Sequence, residues 1–136
     1  MYLTYEEYQQ MGGTLDETAF NDLEFEAECV INYYTFNRLK KETSWGKEVK
    51  LCMMYLIKNI QIGRNALDGS ASNDTSAKSI ASQSNDGVSI SYNVLSQADI
   101  VDEAKKQQET TIHRYLNGVV NSLGQLVLYR GLYPNE

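Results

Sequence analysis

Apolar residues recur at three- and four-residue spacings through most of this chain, a period that admits little besides amphipathic helices. From 16 to 40, Phe20, Leu23, Ala27, Val30, Ile31, Tyr34 and Leu39 fall on one face. Trp45, Val49, Cys52, Met53, Leu56 and Ile60 repeat the stripe over 44–63, as do Ile100, Ala104, Thr111, Tyr115, Leu116 and Val119 over 96–118. Start signals agree with the period. Thr4 and Glu7 have capping-box spacing, with Leu3 placed to staple on Tyr8, and open a short helix over 4–10 that Met11-Gly12-Gly13 ends. Asp16 is a good N-cap for the second helix, Ser96 and Asp99 form another box, and Gly63 marks a stop for the third. The expected fold is all-α, a small bundle of three to four helices in a single domain over 1–136.

A polar stretch interrupts this pattern. From Asp68 to Lys78 the composition shifts to Gly, Ser, Ala, Asn and Asp, so 66–94 reads as a linker carrying a β-hairpin between the third and fourth helices. Its arms are Ser79 to Ser84 and Val88 to Asn93 around Asn85-Asp86-Gly87, and Val88, Ile90 and Tyr92 alternate with Ser89, Ser91 and Asn93. A two-stranded hairpin is marginal alone, so this one lies either on its own helices or, as a docking arm, against a neighbouring chain. The closing stretch, 123–136, carries Leu126, Val127, Leu128, Tyr129, Leu132 and Tyr133 with little helical period. It reads either as an extended docking tail or as a segment folded back on the bundle.

Charge and chemistry narrow the function. Net charge is −6, and residues 1–37 hold eight carboxylates with no Lys or Arg. One end is therefore acidic and the remainder mildly basic, a polarity suited to docking unlike faces. The basic cluster Arg38, Lys40, Lys41, Lys47 and Lys50 is too small to argue for sequence-specific DNA binding. Cys29 and Cys52 read as buried thiols, since one pair in a chain of this length makes no disulfide framework. No apolar run of about 18 residues and no leader pattern stand out, so neither a membrane span nor secretion is expected. His113 has no Cys, His or carboxylate cluster at ligand spacing, no serine has a nucleophile motif, and Glu24 and Glu28 read as a solvated helix face. No catalytic, cofactor or metal residues are expected. Ten tyrosines suit protein interfaces.

The opening YLTYEEYQQMGG, the following LDETAFNDLEFEAECVINYYTFNRL, the loop SIASQSNDGVSISY ahead of a helix and the closing RYLNGVVNSLGQLVLYRGL cover most of the chain. In that order they resemble the head-to-tail connectors of long-tailed bacteriophages, the adaptor or head-completion proteins that dock beneath the portal. The resemblance implies a non-enzymatic virion protein that assembles as a homo-oligomeric ring of about twelve copies, extends the DNA channel, and offers the surface for a stopper and the tail. Its partners would be the portal protein, a stopper or tail-completion protein and its own copies. Double-stranded DNA would pass through without sequence-specific binding, with no membrane and no cofactor involved. Its place would be the head-tail interface of the virion, and the host cytoplasm during assembly. Carried onto this sequence, Leu126, Leu128, Tyr129, Arg130, Leu132 and Tyr133 would face the portal, and Ile80, Val88, Ile90 and Tyr92 would meet a neighbouring subunit or the next ring. An acidic face of Glu17, Glu24 and Glu28 would line the channel and repel passing DNA. The alternative is a small cytoplasmic phage-encoded interaction or regulatory module.

Overall fold

Local caps set where the first helices begin. The computed structural model describes residues 1–72, 84–85, 88–89 and 97–134. Helix α1, Tyr5–Gln10, opens on the expected capping box. The Thr4 hydroxyl accepts from the Glu7 amide at 3.1 Å and the Glu7 carboxylate accepts from the Thr4 amide at 3.1 Å. Helix α2, Glu17–Tyr34, opens on Asp16, whose carboxylate accepts from the Ala19 amide at 2.8 Å. Between them the chain turns tightly. A Cβ on Gly13 would fall 2.2 Å from ring carbons of Tyr8, whose hydroxyl accepts from the Leu15 amide at 3.2 Å.

Helices α3, Lys47–Ser72, and α4, Gln97–Leu116, complete a small all-α bundle. Helix α3 packs on both α2 and α4, and α1 lies against α2. The core joins Leu3, Phe20, Ala27 and Ile31 to Met53, Leu56 and Ile57 of α3, Ile112 and Leu116 of α4, and Val127 from the end of the chain. Tyr2, in the core, meets the partly buried Trp45 edge-on at 4.8 Å. At the α3–α4 contact the buried Asn59 amide donates to the Thr111 hydroxyl at 2.7 Å, and Tyr55 stacks on Tyr115 at 5.2 Å.

Two boundaries differ from the sequence reading. Helix α2 stops at Tyr34 instead of near 40, because Phe36 and Asn37 turn into the left-handed region with φ of 54° and 61°. Helix α3 passes Gly63 and continues to Ser72, so the expected linker begins later. An interior glycine costs about 1 kcal/mol. Ile62 and Ala66, packed with Ile100 in a second apolar cluster, outweigh it. In the interrupting stretch, Ser84–Asn85 and Val88–Ser89 pair antiparallel, with Ser84 opposite Ser89 and Asn85 opposite Val88. A two-residue pairing falls short of the expected hairpin loop, whose arms otherwise lie, with Ile80, Ile90 and Tyr92, outside the described residues.

Candidate functional site

The end of α2 builds the most distinctive part of the molecule. Thr35 is fully buried and its hydroxyl donates to the Ile31 carbonyl at 2.7 Å. The Asn37 amide then donates back to the Asn32 carbonyl at 3.0 Å, a Schellman closure with Phe36 in the place usually held by glycine. An aromatic residue at positive φ is an uncommon and costly choice. Here it reverses the chain so that Arg38 enters the protein, only 2% exposed. Its guanidinium donates to the carbonyls of Leu126 at 3.3 Å, Val127 at 3.2 Å, Gly131 at 2.7 Å, and Tyr129. The rings of Phe36 and Tyr133 lie 5.2 and 4.9 Å from its central carbon. A fork of five donors thus holds a run of backbone acceptors between aromatic faces.

The closing segment is shaped to meet it. After α4 the chain turns at Gly118, φ 86°, and again at Gly124, φ 75°. The Val127 amide donates to Val119 at 3.1 Å and the Asn121 amide to Gln125 at 2.9 Å, while the Asn121 side chain accepts from the amides of Leu123 and Gln125. The segment is therefore folded back on the bundle and is not an extended tail, with Val127 fully buried. Of the residues expected to face a portal, Leu126, Tyr129, Arg130 and Leu132 are exposed, and Leu128 and Tyr133 are half-buried. The six share one short strip, and Tyr129 and Tyr133 touch ring to ring at 4.8 Å.

Beside the strip lies an open groove of about 730 Å³ between Tyr33 and Phe36 of the α2 end, His113 of α4, and Leu128 and Arg130 of the closing segment. Lys40 and Cys29 also line it. Phe25, Cys29 and Tyr33 follow one another at four-residue spacing on the outward side of α2, and Phe25 and Tyr33 are 66% and 76% exposed. Cys29 is thus exposed, contrary to the buried thiol expected, because it sits on this stripe and not on the core face. Cys52 is buried, and desolvation pushes its thiol up to about 12.

The acidic residues do not form the common face expected of Glu17, Glu24 and Glu28. Glu17 is exposed, but Glu24 is 3% exposed, covered by the N-terminal segment, and accepts from the Tyr2 amide at 3.1 Å. Burial first, and then the Glu28 carboxylate one turn on, push its carboxyl up to about 7. Glu28 is half-buried and lies 3.7 Å from the Met1 ammonium. Other members of the acidic third are paired across helices, Glu7 with Lys50 and Asp22 and Glu26 with Arg64. The Lys50 ammonium holds the Glu7 carboxyl below the usual range. The basic cluster is dispersed too, since Arg38 is inside and Lys50 is paired.

Of the four residues expected to meet a neighbouring subunit, Val88 has its backbone placed in the short pairing, and Ile80, Ile90 and Tyr92 lie outside the described residues. His113 is exposed, 3.8 Å from Glu109. Among the described residues no three His, Cys, Asp or Glu side chains converge as metal ligands, and no helix is long and apolar enough to cross a membrane. These surfaces comprise an exposed apolar strip and an aromatic groove rimmed by Lys40 and Arg130. Set against family models, curated proteins and solved structures, the chain finds no significant match in any of them.

Proposed function

We propose that the chain is a structural virion protein that forms a ring beneath a phage portal, extends the DNA channel, and presents the attachment surface for a stopper or tail. The observation that carries this reading is the C-terminal strip. Its backbone is held from inside by Arg38 and Val127, while Leu126, Tyr129 and Leu132 point outward at 45%, 47% and 80% exposure. Contiguous exposed apolar groups mark docking surfaces, and a strip already ordered loses little entropy when it docks. On this reading the strip seats on the portal. The loop between α3 and α4, through Ile80, Val88, Ile90 and Tyr92, meets the neighbouring subunit or the next ring. The protein works by binding and catalyses nothing, in the virion and, before that, in the host cytoplasm where heads are completed.

Electron microscopy of particles from the source phage with this gene deleted tests the reading. Separate full heads and finished tails, joined on adding the purified protein, are the expected outcome. Normal infectious virions would overturn it in favour of a cytoplasmic interaction module.

A further inference from the structure

Building on that assembly reading, we infer that the groove at the end of α2 receives the acidic α1–α2 corner of a second copy of this chain. The argument begins with which charges the fold leaves over. Of the eight carboxylates in residues 1–37, Glu7, Asp22 and Glu26 are paired with cations of α3, Glu24 is buried, and Glu28 faces the chain's own ammonium. Glu6 of α1 and Glu17 in the first turn of α2 remain, exposed and in none of these ion pairs, with the exposed Asp16 beside them capping α2. At the opposite end of the same helix, Lys40 and Arg130 line the groove without a carboxylate pair among the described residues, and His113 stands beside them.

These two ends cannot satisfy each other within one molecule. Helix α2 has 18 residues and spans about 26 Å, so the leftover anions and the leftover cations are held a full helix apart. Between copies they match in more than sign. Tyr33, Phe36 and Leu128 give the groove apolar walls, and the corner brings the half-buried Met11 and Leu15. A contact of one end with the other is heterologous, so repeating it propagates and closes into a ring when the rotation permits.

The contact is testable with the full chain. A zero-length carbodiimide cross-link on a mixture of isotope-labelled and unlabelled protein is expected to join Lys40 to Glu6, Asp16 or Glu17 in mixed-isotope products. In sedimentation velocity, Lys40→Glu with Arg130→Glu, and separately Glu6→Lys with Glu17→Lys, are each expected to weaken self-association by about tenfold or more. Mixing the two charge-reversed proteins should restore it. Unchanged association in either variant, or a monomer even at about 1 mM chain, would overturn the inference. Copies that associate but cross-link elsewhere would sink this contact and leave the ring standing. Normal virions without the gene would instead end the assembly reading, whatever the cross-links show.

Discussion

Glu24 makes stability depend on pH in a direction opposite to that of an ordinary surface carboxylate. In the unfolded chain it releases its proton near 4.5; in the folded protein, buried at 3% exposure beside Glu28, it keeps it up to about 7. Between those values the native state binds more protons than the unfolded chain, so this group's contribution is complete below pH 4.5 and is lost as pH rises through 7. The difference of about 2.5 in pKa corresponds to about 3 kcal/mol. Glu24→Gln keeps an oxygen for the Tyr2 amide and removes the ionisation. The variant should therefore match the wild type within about 0.5 kcal/mol at pH 4.5 and exceed its stability by about 1–3 kcal/mol at pH 8. Urea unfolding followed by helical circular dichroism across that range reads the difference directly. Carboxylates with lowered pKa, such as Glu7, contribute equally to both proteins and cancel. If the two stability curves run parallel from pH 4.5 to 8, the carboxyl is not held protonated by its surroundings and the reasoning fails.

Arg38→Met should cost about 3 kcal/mol, since it removes the donor from the buried Val127 carbonyl and from the part-buried carbonyls of Tyr129 and Gly131. The same change should abolish hydrogen-exchange protection at the Val127 amide, and an unchanged exchange rate there would show that Arg38 does not hold the segment. Gly13→Ala should destabilise by about 2–3 kcal/mol, because the new methyl meets the Tyr8 ring, itself packed on Phe20 at 4.8 Å. A thermal midpoint equal to wild type would refute that crowding. A maleimide should label Cys29 in the native protein and Cys52 only after unfolding. Equal labelling of both thiols in native buffer, read by mass spectrometry, would contradict the burial assigned to Cys52.

What sequence could show here was local. The Thr4–Glu7 box and the Asp16 cap act over three residues, and both helices start where those letters stand. The end of α2 carried no such letter, because a left-handed turn made by Phe36 and Asn37 contains no glycine to announce it. Gly63 announced a stop that packing overrode. The strip's apolar residues were visible as composition, but what holds them was not, since Arg38 acts on backbone carbonyls 88 to 93 residues away and carbonyls are alike in every residue. Glu24 escaped for a similar reason. The group that covers it, the Tyr2 amide, lies 22 residues earlier in a segment without periodicity.

The distance between Arg38 and its acceptors also orders events in time. A ribosome delivers α1, α2 and α3 well before Gly131 exists, and at about 5–20 residues per second the interval from Arg38 to Gly131 is about 5–20 s. Through that interval the guanidinium lacks the four carbonyls of the closing segment, and Val127 has yet to take its place in the core. Only a chain translated through Gly131 can close both at once. The outward strip is therefore the last surface to form, and a prematurely ended chain never displays it.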